Sequence, residues 1–136
     1  MVRLMVDLAC LGEKARTTVK EVARRAYVPE RFMGKIVTQA VEAGLVAAYR
    51  GTGGGLCLAR DAASITLLEI VEAAGRRLAL TRCTDEPSRC PLSNRCAVFP
   101  VWQKAQDLLK NLVAETTLAE LARAQKDLGK LVNAQR

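Results

Sequence analysis

Short apolar stripes alternate along the chain with polar, glycine-marked breaks, and the period of the stripes changes on the way. In residues 2–11 (VRLMVDLACL), Leu4, Leu8 and Leu11 share one helical face, Val2, Met5 and Ala9 lie beside it, and Gly12 ends the run. This spacing predicts a buried amphipathic helix. Thr18-Val-Lys-Glu21 has the form of a capping box, in which the threonine side chain accepts from an amide three residues on and the glutamate reaches back. A short helix over about 19–26 follows. Tyr27 and Val28 make a tight turn. Pro29 suits the first position of a further helix, where its missing N–H costs nothing. That helix is expected to reach about Ala43 and to stop at Gly44. Phe32, Ile36, Val37, Ala40 and Val41 form its expected inward stripe, while Arg31, Lys35, Thr38 and Gln39 fall on the other side.

Beyond Gly44 the character changes to β, over 45–50 and again over 56–59. Between them stands Arg50-Gly-Thr-Gly-Gly-Gly55, with four glycines in five residues. Such a run cannot fill a core. It makes a permissive hairpin tip whose backbone can approach a partner closely. A phosphate-cradling loop is a poor alternative, because the G-K-[ST] lysine is missing and the run does not lead from strand into helix. Two helices joined by a tight turn and followed at once by a β-hairpin is the winged-helix order. In that architecture the second helix enters the major groove and the wing reaches the adjacent backbone or minor groove.

Thr66-Leu-Leu-Glu69 is a second capping box, opening a helix to about Ala74 that Gly75 ends. Residues 76–97 are polar, rich in cysteine and contain proline. From Pro100 a long helix is expected to about Glu115, with Val101, Ala105, Leu108 and Leu112 at helical spacing and Trp102, Leu109 and Val113 alongside. That face is wider than one small winged helix can cover, which predicts packing against a second copy of the chain. Thr117 starts a last short helix, and the tail beyond Gln125 is expected to be polar and frayed. The expected fold is therefore mainly α with a small β-hairpin wing. A winged helix-turn-helix occupies 1–75, a cysteine-rich sensor loop 76–97, and a long C-terminal dimerisation helix with its tail 98–136.

Composition narrows the function. A chain of 136 residues, half of them apolar, supports one domain or one domain plus a dimerisation element. No apolar run approaches the ~20 residues that span a bilayer, and no signal-peptide pattern is visible. No membrane association and a cytoplasmic location are the resulting expectations, and thiols there stay reduced. The net charge of +7 leans towards a polyanionic partner. The absence of histidine removes Cys/His zinc sites, Ser-His-Asp hydrolysis and Cys-His catalysis within this chain.

Cys83, Cys90 and Cys96 read C-x6-C-x5-C, three thiols in fourteen residues, each directly preceded by an arginine: Arg82, Arg89 and Arg95. Neighbouring guanidinium charge favours thiolates and offsets an anionic metal centre. Spacing alone leaves open an iron–sulfur cluster, a zinc ion, or metal-free thiols that form a reversible disulfide. Asp7, Asp85 and Glu86 are the carboxylates that could complete a ligand set. Cys10 and Cys57 are expected to pack as small apolar residues. A thiol oxidoreductase is the rival of another class, but no C-x-x-C motif, nucleophile–base pair or cofactor fingerprint supports it.

In this order the elements resemble the winged-helix family of iron–sulfur and redox transcriptional regulators that includes IscR, NsrR and RirA. Leu4-Met-Val-Asp-Leu-Ala9 and Val22-Ala-Arg-Arg25 look like its first two helices, and Glu42-Ala-Gly-Leu-Val46 like the end of its recognition helix. Arg50-Gly-Thr-Gly-Gly-Gly55 with Leu58-Ala-Arg60 is similar to its wing. Ile65-Thr-Leu-Leu-Glu-Ile-Val-Glu-Ala73 and Thr116-Thr-Leu-Ala-Glu-Leu121 are similar to the helix after the wing and to the family's ending. The resemblance implies a homodimeric regulator of transcription, a repressor, that binds double-stranded operator DNA and is not an enzyme. It places Arg31 and Lys35 where the recognition helix meets DNA, and Arg50, Gly51, Thr52 and Gly53 where the wing does. It places Cys83, Cys90 and Cys96 where cluster-binding members hold a [2Fe-2S] or [4Fe-4S] centre, zinc being the lesser alternative. The chain departs from the family in its cysteine spacing, in Phe99 standing where IscR-like members have a histidine, and in lacking the basic N-terminal arm. The fourth ligand is thereby left open.

Overall fold

The computed structural model describes residues 1–12, 15–75 and 77–134. Seven helices and one hairpin are described, in the order α1 (Val2–Leu11), α2 (Val19–Arg25), α3 (Glu30–Glu42), β1 (Val46–Tyr49), β2 (Gly55–Leu58), α4 (Leu67–Ala73), α5 (Arg82–Asp85), α6 (Phe99–Glu115) and α7 (Leu118–Ala134). This is the expected winged helix-turn-helix with its hairpin wing.

Threonine–glutamate capping boxes set three of the helix starts. Thr18 and Thr66 each accept from the backbone of the glutamate three residues on, and each glutamate accepts the threonine's own N–H. Thr117 and Glu120 do the same at α7. The carboxylates are held below their ordinary range, chiefly by these backbone donors: Thr18 for Glu21, Thr66 for Glu69 and Thr117 for Glu120. Two of the caps sit back to back. Leu67 N–H donates to Thr116 and Leu118 N–H to Ile65, both at 2.8 Å, so the starts of α4 and α7 are tied together.

The core gathers Leu4, Met5 and Leu8 of α1, Val22 of α2, Met33, Val37 and Ala40 of α3, Leu45, Leu56 of β2, Ile65 and Ile70 around α4, and Leu118 of α7. The α3 stripe differs from expectation at two positions. Phe32 and Val41 are exposed, and Met33 takes the buried place. At about 100° per residue, Phe32 and Val41 lie roughly 90° to either side of the line through 33, 37 and 40. Arg31, Lys35, Thr38 and Gln39 all face outward as expected. Pro29 caps α3 rather than opening it, and its carbonyl accepts from Phe32 and Met33.

The C-terminal part also differs. Instead of a short helix fraying beyond Gln125, α7 continues to Ala134 and packs along α1. Alanine, leucine, lysine and glutamine continue the helix at little cost, and contact with α1 supplies what propensity alone would not. Residues 135–136 of the expected tail lie outside the described residues.

The hairpin is antiparallel, with Val46 opposite Leu58 and Tyr49 opposite Gly55. Thr17 makes an isolated antiparallel bridge to the middle of β2. Its N–H donates to Leu56 and its carbonyl accepts from Leu56, at 3.1 and 2.8 Å. No described helix is long and apolar enough to cross a membrane.

Candidate DNA-binding face and cysteine segment

Helices α2 and α3 are joined by a turn in which Tyr27 takes φ 54°, a left-handed conformation unusual for a bulky residue. Its phenol is 90% exposed, so packing does not compensate the strain. Arg31 and Lys35 project from the outer side of α3, and the Arg31 guanidinium lies over the exposed Phe32 ring, 5.4 Å from its centre. Arg50, Gly51, Thr52 and Gly53 are all exposed at the hairpin tip. Gly51 and Gly53 have φ +87° and +77°, where a side chain would be strained. Gly54 is required for a different reason: a Cβ there would lie 2.4 Å from the Tyr49 carbonyl oxygen.

Not every arginine nearby is free for DNA. Arg25 grips Asp7 through two bonds of 2.8 Å and donates a third, also 2.8 Å, to the Thr17 hydroxyl. That bidentate grip engages both carboxylate oxygens of Asp7, one of the candidate metal ligands. Arg16 is exposed beside the wing and touches it, a role that its sequence position gave no hint of.

The 76–97 segment, whose Arg76 lies outside the described residues, is more ordered than a loop. Cys83 sits within α5, while Cys90 and Cys96 each follow a short 3-10 turn, Pro87–Arg89 and Ser93–Arg95. Thr81 caps α5, and its hydroxyl lies 3.0 Å from Cys83 Sγ and 3.3 Å from the Thr84 hydroxyl. All three thiols are half-buried. Cys83 and Cys90 line one open pocket with Arg82, Asp85, Glu86, Arg89 and Pro91; Cys96 is not among its lining residues. Asp85 is paired with Arg77 at 3.5 Å, and Glu86 with Arg89. Among the described residues, no three cysteine or carboxylate groups are gathered at metal-binding distance. Three thiols flanked by arginines suit a thiolate-held centre in kind, but in this conformation they do not converge on one point. Cys10 is half-buried against α7, its thiol 3.6 Å from the Ala122 carbonyl, and burial pushes its pKa up. Cys57 is half-buried in β2.

The segment is latched to α6. Gln106 is one of two buried polar residues among those described, at 5% exposure. Its carbonyl accepts from Leu80 N–H at 2.7 Å and from the Thr84 hydroxyl at 3.4 Å, and its amide donates to the Leu78 carbonyl. Sequence reading missed this residue, although a glutamine between Ala105 and Leu109 of the apolar stripe was the available signal. On the far side of α6, Val101, Leu108 and Leu112 are each 63% exposed.

Several known proteins are similar to this chain. Protein aau3 of Rhizobium meliloti (strain 1021) is 31% identical over 132 residues, covering 96% of this chain and 85% of that protein. The HTH-type transcriptional regulator IscR of Escherichia coli is 28% identical over 127 residues, covering 93% of this chain and 78% of that one. Among solved structures, CymR, described as the global cysteine regulator of B. subtilis, superposes with a TM-score of 0.73 at 24% identity, over 90% of this chain and 89% of that one. T. potens IscR superposes with a TM-score of 0.71 at 22% identity, over 93% and 83%. At such identities the structural likeness speaks for the winged-helix fold. The family described as "Rrf2: Iron-dependent Transcriptional regulator" matches residues 1–124, from α1 through the wing and the cysteine segment into α7, and this chain belongs to it, as a transcriptional regulator of the Rrf2 family.

Proposed function

We propose that the chain is a cytoplasmic, dimeric repressor whose hold on double-stranded operator DNA is set by the state of Cys83, Cys90 and Cys96. The division into a DNA-binding part (1–75), a sensor segment (76–97) and a dimerisation part (98–136) is functional in this reading. Arg31 and Lys35 meet the major groove, and Arg50 with Gly51, Thr52 and Gly53 meets the flanking backbone or minor groove.

One observation carries the reading: the buried Gln106 belongs to the helix with the exposed apolar face, and it is bonded to the stretch that holds Cys83. Thr84 adjoins Cys83 in sequence, and Thr81 touches both the Cys83 thiol and the Thr84 hydroxyl. A change at Cys83 therefore reaches α6 through hydrogen bonds rather than through a flexible linker. If α6 meets its counterpart in a second copy, it sets the spacing of the two α3 helices, and spacing sets affinity for a two-fold operator.

The iron-dependent description of the family and the three-thiol donor set support an iron–sulfur cluster as the centre. Such a cluster supplies reversible electron transfer and an exchangeable ligand position when bound. The chain's own part is to provide three thiols, the neighbouring charge of Arg82, Arg89 and Arg95, and the Gln106 latch. A cluster-free thiol switch is the second reading, favoured by Cys83 and Cys90 sharing a pocket that Cys96 does not line.

The DNA face is tested on a duplex selected from a random pool by the wild-type protein. Arg31→Ala is expected to weaken binding by about 10- to 100-fold, the scale of one good base contact. Arg50→Ala is expected to weaken it less and to lower the salt dependence by about one counterion. Both variants should keep the wild-type mass in solution. Unchanged affinity in both would place the DNA face elsewhere.

A further inference from the structure

We infer that Arg16 is a positioning residue for DNA binding: it tethers the glycine-rich wing tip from outside the wing. The inference rests on the reading of the 50–55 tip as a DNA contact.

The Arg16–Thr17 segment, bridged to Leu56 through Thr17, approaches the hairpin closely because Gly55 has no side chain. A Cβ at Gly55 would sit 2.9 Å from the Thr17 carbonyl oxygen and 3.2 Å from Arg16 Cβ. From that segment the Arg16 side chain makes two contacts at once. Its guanidinium carbon lies 4.0 Å from the centre of the Tyr49 ring, and Nη1 donates to the Gly53 carbonyl at 3.0 Å. Tyr49 is the last residue of β1 and Gly53 is inside the tip, so one side chain spans the wing from its stem to its end.

A tip with glycines at 51, 53, 54 and 55 has little conformational preference of its own, and fixing it on DNA costs backbone entropy. A tether made before binding lowers that cost. Arginine suits the task because its planar group can stack and donate together, whereas a lysine ammonium offers a point charge without the plane. Its partners are a ring face and a backbone carbonyl, and neither cancels its charge. Arg16 thus adds to the positive field around Arg50 while it holds the tip.

The test uses the full-length chain on the selected duplex at one salt concentration, with Arg16→Ala, Arg16→Lys, Tyr49→Leu, the Arg16→Ala/Tyr49→Leu double variant, and Arg50→Ala as the reference for the wing. Arg16→Ala is expected to weaken binding about tenfold, the combined scale of an exposed cation–π contact and one hydrogen bond. Arg16→Lys should recover less than half of that loss. The double variant should be no weaker than Arg16→Ala alone within about twofold, because both changes break the same tether. Thermal midpoints of Arg16→Ala and wild type should stay close, which separates tip ordering from general destabilisation. Loss in Arg50→Ala with none in Arg16→Ala overturns the tether and leaves the wing reading standing. No loss in either overturns both. Strict additivity in the double variant, or full rescue by lysine, reduces Arg16 to a charge and also overturns the tether.

Discussion

Replacing Leu108 and Leu112 together by glutamate is expected to convert the protein to a monomer and to reduce its affinity for the selected duplex by about 100-fold or more. These leucines, with Val101, are each 63% exposed along one side of α6, whereas Val113 and Gln106 on the other side are buried. In a two-fold interface every residue counts twice. Covering four leucines that are about two-thirds exposed gains roughly 1.5 kcal/mol each, so the double substitution removes about 6 kcal/mol of association energy. A micromolar dimer is held by about 8 kcal/mol, and it would not survive that loss at working concentrations. The fold itself should be little affected, since the replaced side chains do not contribute to the core. Light scattering gives the mass and a thermal scan confirms folding. A folded variant that stays dimeric would move the interface away from α6.

The second large effect is expected from Gln106→Leu. Leucine fills similar space but cannot pair with the Leu80 N–H or the Leu78 carbonyl, and each lost hydrogen bond costs about 0.5–1.5 kcal/mol. The stretch from Leu78 to Thr84 should detach from α6, and reaction of the half-buried Cys83 with a small thiol reagent should accelerate about tenfold or more. DNA binding should persist, because Arg31, Lys35 and Arg50 stand on other elements. What should shrink is the difference in operator affinity between the two states of the cysteines, since the path from Cys83 to α6 is cut. Faster labelling with an undiminished affinity difference would show that the signal reaches DNA by another route.

Much of this was legible in the chain because it is written locally. Capping boxes at Thr18, Thr66 and Thr117 and the glycines at 44 and 75 mark helix ends through contacts within three or four residues. The wing announces itself by four glycines in five positions. Apolar character alone does not fix helix rotation, so Phe32 and Val41 read as part of the α3 stripe, whereas contacts with the core select Met33. The second half of α7 looks polar in isolation and so does not read as helix, because its partner α1 lies more than a hundred residues away in sequence. The same holds for the candidate site. The three cysteines were visible as a group, but Arg16 reaches Gly53 across 37 residues and Gln106 reaches Leu80 across 26, and no local pattern records such pairs. Asp7 looked available until the fold placed Arg25 against both of its oxygens.

The central claim is that the cysteine segment controls the grip on DNA. Its most direct test is the affinity of one preparation for the selected duplex, at a single fixed salt concentration, measured anaerobically before and after treatment with a strong chelator, with iron, zinc and acid-labile sulfide quantified in each state. The account predicts iron and sulfide in the starting material and at least a tenfold change in affinity on treatment, a coupling of about 1.4 kcal/mol. Equal affinity in the two states would contradict it.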